Sequence, residues 1–465
     1  MTISRTPFLA LAALALMAGA TSCSTAPARP SATSAPATSP TAAASLPDST
    51  VGVQARWLFA AIVHPPIPTA AITAHFDQAF LAKVTPAQLN GVLGQVKTLR
   101  LDAVTLSTAA ELVMTITANG QTQLRVSMAV DSAGLISGLL LQPAGTPPAP
   151  PPLPTTWAGV DRQVRSVAPQ VRMLVAAVNG NACRPIQAIG AGTPAPLGSA
   201  FKLYVLDALA RAVASGKVSW NQQLTITSQL KSLPSGELQN DPDGTRVSVR
   251  QAADDMISVS DNTAATLLMA LVGRTAVEQA AAASGMADPG LDTPFLTTRE
   301  LFVLKLLNWP QLADSYLARS AAGRLAMLNS TIDRVPYSTL TAANSAAWTA
   351  PRDINSLEWF ASPTDICHVY ASLATLARQP DLAPVAAALQ INNGGMSLNP
   401  SQWRSVWFKG GSEPGVLTLN YLATTRGGQS YVVSVLAENP AAPIAQNAVL
   451  TLLSAIKGAF ELAAG

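Results

Sequence analysis

The segment GTPPAPPPLPTT, residues 145–156, constrains the fold most. Proline fixes φ and has no N–H, so this run cannot sit inside a helix or a paired sheet. It reads as a stiff, extended spacer. It splits the 465-residue chain into a shorter N-terminal part and a longer C-terminal part, each long enough for its own core.

Residues 1–22 read as a secretory signal: Arg5 supplies the positive start, and Phe8 to Met17 is an apolar run too short to span a bilayer. Ala20-Thr21-Ser22-Cys23 reads as a lipoprotein cleavage box with Cys23 lipidated and Ala20 where leucine is usual; ordinary cleavage after Ala18-Gly19-Ala20 is the alternative. Either way the chain is expected to be exported. Residues 23–48 are Ser/Thr/Ala/Pro-rich and read as a tether on the outer face of the cell membrane.

Residues 49–144 predict a small α+β domain. Val53, Trp57, Leu58 and Ile62 have helical spacing; a second helix is expected over Thr73–Val84, and Thr85-Pro86 opens a third. The period then changes to two, through Leu99–Ala103, Leu112–Ile116, Leu124–Met128 and Leu135–Leu141, with Asn119-Gly120 as a hairpin turn. Helices followed by a curved antiparallel sheet suggest a cone like that of steroid isomerases and nuclear transport factors. His75, Asp77 and Asp102 read as structural rather than catalytic.

Residues 157–465 predict a helix, a hairpin over Val171–Ile189, a block of helices, strands over Trp403–Lys409, Val416–Thr424 and Tyr431–Ala437, and a closing helix. The strands can form one antiparallel sheet with helices on both faces. Ser199 and Lys202, read as sharing the first turn of an apolar helix, fall on one face. A hydroxyl at a helix start is placed to become an alkoxide, and a buried lysine beside a second cation can serve as its base.

Charged residues make up 12% of the chain and the net charge is +3, without a Lys/Arg cluster, which argues against a nucleic-acid partner. The three cysteines (Cys23, Cys183, Cys367) and three histidines (His64, His75, His368) show no metal-ligand spacing, so neither metal nor cofactor is expected. The scarcity of histidine favours lysine as base. Cys183 and Cys367 are read as free buried thiols, with pairing as the alternative.

Ser199-x-x-Lys202, Ser260-Asp261-Asn262 and Lys409-Gly410-Gly411 stand in chain order. Together they resemble the serine β-lactamase and penicillin-binding protein superfamily, class A branch, whose signature is Ser-x-x-Lys, Ser-Asp-Asn and Lys-Thr-Gly. The whole exported region resembles the two-domain β-lactamase-like hydrolases of clavulanic-acid gene clusters, of actinobacterial lipoprotein type. The resemblance implies a five-stranded antiparallel sheet flanked by helices, an all-helical subdomain, and a small-molecule acyl substrate in β-lactam catabolism. It implies Ser199 as nucleophile, Lys202 as base with Lys409 holding its pKa down, and Ser260 as relay to the leaving group. Asn262 would orient Lys202 or bind a substrate amide; the backbone N–H groups of Ser199 and Ser412 would form the oxyanion hole beside Gly410 and Gly411.

Two departures bear on the substrate. Gly410 replaces the hydroxyl residue that binds a substrate carboxylate, and no Glu-x-x-Leu-Asn segment follows Ser260-Asp261-Asn262. Of Glu278, Glu300 and Glu358, the last is nearest to the expected place, yet it reads as a surface or salt-bridged residue. The expectation is therefore a serine hydrolase acting on a β-lactam-like amide or an ester. The alternative is a weakly active or inactive penicillin-binding-type scaffold that binds cell-wall or hydrophobic ligands.

Overall fold

A computed structural model describes residues 46–465, apart from 82–83, 109, 132, 145–150, 342–343, 346 and 446. The expected signal, the tether up to residue 45 and Cys23 lie outside the described residues, as does half of the proline-rich spacer. The chain forms two compact units with the boundary at Pro147 and Pro148.

Among its described residues, the N-terminal unit has four helices followed by a four-stranded antiparallel meander. The helices are α1 (Thr50–Ile62), α2 (Thr69–His75), α3 (Gln78–Leu81) and α4 (Pro86–Leu93). The strands β1 (Leu99–Ser107), β2 (Glu111–Ala118), β3 (Thr122–Val130) and β4 (Ile136–Pro143) pair in sequence order. Thr85 caps α4 in a full capping box with Gln88. Asn119 and Gly120 both have positive φ (53° and 73°), as a two-residue hairpin turn between right-twisted strands requires.

The single helix expected over Thr73–Val84 is instead broken. Phe76 leaves the helix to bridge Ile136, and the Asp77 side chain accepts from Phe80 N–H to start α3. His75 stacks on Trp57 with ring centroids 3.8 Å apart, and its Nδ1 faces Gln54 Oε1. Asp102 pairs with Arg100 and accepts from Thr117. These contacts support the turn, the helix and the sheet.

The C-terminal unit is built on a five-stranded antiparallel sheet whose strands lie in the order Trp403–Glu413, Val416–Thr425, Ser430–Glu438, Gln170–Asn179, Ala182–Ile189. It starts with α5 (Trp157–Arg165), β5 (Gln170–Asn179), β6 (Ala182–Ile189) and the short β7 (Ala195–Pro196). A 3₁₀ turn, Gly198–Phe201, then runs into α6 (Lys202–Ala214). The helical block contains the small β8–β9 pair (Gln223–Thr225, Arg246–Ser248), then α7 (Val249–Ser258), α8 (Asn262–Val272), α9 (Arg274–Ser284) and α10 (Thr298–Leu306). It continues through α11 (Gln311–Leu317) and α12 (Ala321–Met327) to β10 (Phe360–Ala361), α13 (Pro363–Leu376) and α14 (Ala383–Gln390). The chain ends with β11 (Trp403–Glu413), β12 (Val416–Thr425), β13 (Ser430–Glu438) and α15 (Ala448–Ala464).

Alternation along the strands sorts the two faces. Phe408, Leu419, Tyr421 and Val433 pack with α5 and α15, while Trp407, Leu422 and Val432 face the larger core around α6, α8 and α13.

Four expectations are corrected. Ser199 lies in the 3₁₀ turn before α6, not in its first α-helical turn. Ser260-Asp261 lies between α7 and α8, with Asp261 as N-cap of α8, rather than inside one helix. Gly410-Gly411-Ser412 is part of β11, paired with Leu419, Thr418 and Leu417, instead of ending it. Cys183 and Cys367 form a disulfide, not free thiols: β6 and α13 hold their Cα atoms 6.3 Å apart, within bridging distance.

Candidate active site

Leu197 to Ala200 forms a sharp turn between β7 and α6. Gly198 takes φ +51°, a left-handed conformation that suits glycine. A Cβ there would lie 2.8 Å from Ser412 N, so the missing side chain lets the turn press on β11. Gly411 mirrors it: a Cβ there would lie 2.1 Å from Leu197 O and 2.6 Å from Ser199 N. Thr418 Oγ1 on β12 donates to Leu197 O at 3.0 Å and fastens the same turn. Two glycines without side chains thus let the Ser199 turn pack directly against the β11 backbone at Gly411 and Ser412.

Ser199 is partly exposed between buried Gly198 and Ala200. In a 3₁₀ turn, side chains three residues apart eclipse. Lys202 Nζ accordingly lies 3.0 Å from Ser199 Oγ, in a side chain with no solvent exposure. The same Nζ is 2.8 Å from Ser260 O, 3.1 Å from Ser260 Oγ and 2.6 Å from Asn262 Oδ1. Ser260 adopts φ +59°, which presents both its carbonyl and its hydroxyl to Lys202. Asn262 is aimed by its own amide, which donates to Leu233 O.

Lys409, buried on the helical face of β11, completes the group. Its Nζ donates to Ser260 Oγ at 3.0 Å and to Gly410 O at 2.9 Å. Asn420, opposite on β12, donates to Lys409 O and is itself held by Ser434. Burial pushes Lys409 down to about 7. Lys202 is pushed well below the usual lysine range, first by burial and then by the Lys409 charge, with Asp261 acting in the opposite sense. The second cation inferred from the sequence therefore counts, but desolvation is the larger cause.

The geometry brings Ser199, Lys202, Ser260, Asn262 and Lys409 into one hydrogen-bonded group, with Gly410, Gly411 and Ser412 along its β11 wall. A Cβ on Gly410 would meet the Phe408 ring at 2.8 Å and Thr418 O at 3.0 Å, so the place of the missing hydroxyl residue is already crowded. His368 faces Gly285 O on the exposed side of α13, away from this group. Trp359 stacks on Phe201 and donates to Leu296 O, as a core residue.

The three glutamates considered for water activation are each engaged elsewhere. Glu278 accepts from Phe295 N–H. Glu300 pairs with Arg274 and caps α10. Glu358 is buried, paired with Lys305, and accepts from Gly198 and Trp359 N–H. Sequence reasoning missed Lys305, Glu413 and Thr418. The one available signal was Lys305 itself, a lysine between Leu304 and Leu306 in an apolar helix.

Residues 170–358, which run from β5 through the Ser199 turn to Glu358, match the model of the beta-lactamase enzyme family. The match covers the larger part of the helical block of the C-terminal unit and includes Ser199, Lys202 and Ser260-Asp261-Asn262. Residues 46–136 match the model described as ORF 12 gene product N-terminal. No curated protein matches the chain. Among solved structures, a beta-lactamase from Sphaerobacter thermophilus DSM 20745 is 20% identical, with 67% of this chain and 98% of that one covered and a TM-score of 0.48. The acyl-enzyme complex of a mutant PBP-A with penicillin G is 15% identical, covering 67% and 99%, TM-score 0.43. A putative class A beta-lactamase, PenP, from Rhodopseudomonas palustris is 15% identical, covering 65% and 97%, TM-score 0.45.

Proposed function

We propose that the protein is an exported serine hydrolase that forms an acyl-enzyme at Ser199, acting on a β-lactam-like amide or an ester. The observation that carries this reading is the Lys202–Ser199 contact inside a buried group that pushes Lys202 well below the usual lysine range. A neutral amine has two N–H donors and one lone pair. Ser260 O and Asn262 Oδ1 only accept, so they take the two N–H groups. The lone pair is left to accept from Ser199 O–H. Ser199 Oγ then attacks the acyl carbon while its proton passes to Lys202. The proton returns through Ser260 Oγ, which Lys409 also contacts, to the leaving nitrogen or oxygen. The Ser199 and Ser412 N–H groups are assigned to the developing oxyanion.

Deacylation is expected to be slow, because the three candidate glutamates are tied elsewhere. The crowding at Gly410 favours acyl groups recognised without a carboxylate-binding hydroxyl, esters among them. Export is supported by the Cys183–Cys367 disulfide, since such bonds persist in oxidising compartments. Anchoring through Cys23 and a place in β-lactam catabolism belong to the same proposal.

The test is intact-mass spectrometry after exposure to a fluorophosphonate, a penicillin and a cephalosporin, with Ser199→Ala as control. An adduct confined to wild type is expected, and its persistence separates a trapped acyl-enzyme from a turnover enzyme. The absence of any adduct would refute the hydrolase reading and leave the ligand-binding scaffold.

A further inference from the structure

Three charged side chains outside the Ser199–Lys202–Ser260–Lys409 group converge behind the nucleophile turn. Lys305 on α10 is fully buried. Its Nζ lies 2.6 Å from Glu413 Oε1 and 3.5 Å from Glu358 Oε1. Glu358 Oε2 accepts from Gly198 N–H at 3.0 Å, the residue directly before Ser199. Glu413 ends β11 and directly follows Ser412. The cluster thus ties the nucleophile turn to the β11 edge through one lysine. The Glu413 carboxyl is pushed well above its usual range by burial, opposed by Lys305 and reinforced by neighbouring Glu358. The ion pairs and the Gly198 N–H give the buried carboxylates and the lysine partners in place of water.

We propose that Lys305, Glu358 and Glu413 are positioning residues that hold the Ser199 turn and the β11 edge at a fixed separation, so that the two backbone N–H groups address one oxyanion. None of the three touches Ser199 Oγ or Lys202 Nζ in the hydrogen-bond network described. They act through Gly198 on one side and through Ser412 on the other. The inference rests on the acyl-enzyme reading and adds to it the residues that set its electrostatic site.

The test is the labelling rate of Ser199 by a fluorophosphonate, followed by intact mass over a range of probe concentrations and pH. Lys305→Met/Glu358→Leu removes two of the three charged side chains together with the acceptor for Gly198 N–H. It is expected to lower the maximal rate about 100-fold, the lower end of what a lost oxyanion donor costs. The half-saturating concentration should stay within about threefold, and the pH midpoint should not move, because Lys202 keeps its partners. Glu358→Gln keeps an acceptor for Gly198 and loses the charge; about a tenfold loss is expected. If circular dichroism shows the double variant unfolded, Glu358→Gln decides alone. A maximal rate within twofold of wild type in Glu358→Gln, or within threefold in a folded double variant, overturns the proposal. So does a loss carried by the half-saturating concentration or by a displaced pH midpoint. A wild type that takes no adduct overturns the hydrolase reading and this one with it; equal labelling of wild type and variants overturns this one alone.

Discussion

Lys202 Nζ stands 3.0 Å from Ser199 Oγ and 2.6 Å from Asn262 Oδ1, in a side chain without solvent exposure. Four oxygens surround this Nζ, and burial favours its neutral form, whose lone pair can take the Ser199 hydroxyl proton. Lys202→Met is therefore expected to slow fluorophosphonate labelling of Ser199 by about 10²- to 10⁴-fold, the range of a lost general base. Asn262→Leu removes one acceptor and should cost less, about tenfold. Labelling of Lys202→Met at the wild-type rate would rule out Lys202 as base.

Lys409 makes stability depend on pH. Its pKa is near 7 in the folded protein and near 10.4 in an unfolded chain. Between those values the unfolded state binds one more proton, so stability rises with pH across about 7 to 10 and is lost again as pH falls toward 7. The contribution is at most about 1.4 kcal/mol per pH unit. Urea unfolding at several pH values should show this slope in wild type and a flatter curve in Lys409→Met. Parallel curves would mean that Lys409 is not depressed by burial.

Gly410 and Gly411 adjoin but face different neighbours. A methyl on Gly411 meets Leu197 O and Ser199 N, backbone on both counts, at 2.1 and 2.6 Å. Gly411→Ala should displace the nucleophile turn and lower Ser199 labelling by at least about 100-fold. A methyl on Gly410 meets the Phe408 ring and Thr418 O. Gly410→Ala should cost about 1–3 kcal/mol of stability through overpacking and leave labelling within about tenfold. Labelling rates beside urea midpoints check both; equal labelling of the two variants would contradict the separation.

The Cys183–Cys367 bridge spans a sequence separation of 184 residues. Replacing both cysteines by alanine is expected to lower stability by about 3–5 kcal/mol. Wild type under a strong reductant should approach the double variant, as read by the thermal midpoint without and with reductant. A midpoint insensitive to both would show that the bridge does not constrain the fold.

Much of the site was legible in the sequence, because its signals are local. Ser199 and Lys202 are three residues apart, and Ser260-Asp261-Asn262 and Lys409-Gly410-Gly411 are contiguous. So were most elements: hydrophobic period located β2, β3, β5 and β13, and a cap located α4. Breaks set by distant contacts were not legible. Phe76 leaves its helix for a bridge to Ile136, 60 residues on, and no local preference announces that. Cys183 and Cys367 could be counted but not paired, since only the packing of α13 across β5 and β6 sets their separation.

By itself the sequence determined which chemistry is available: a serine, two lysines and an amide in motifs whose spacing follows from backbone geometry. Only the tertiary structure decided how those groups are poised. Lys202 is pushed well below the usual lysine range because water is excluded around it and Lys409 lies close by, and both depend on packing among α6, α8 and β11. Likewise Lys305, Glu358 and Glu413 are far apart in the chain and become one ion-paired cluster only when α10, the strand edge and the Ser199 turn close around them. Desolvation and charge pairing are properties of an enclosed volume, and no stretch of chain encloses one before it folds.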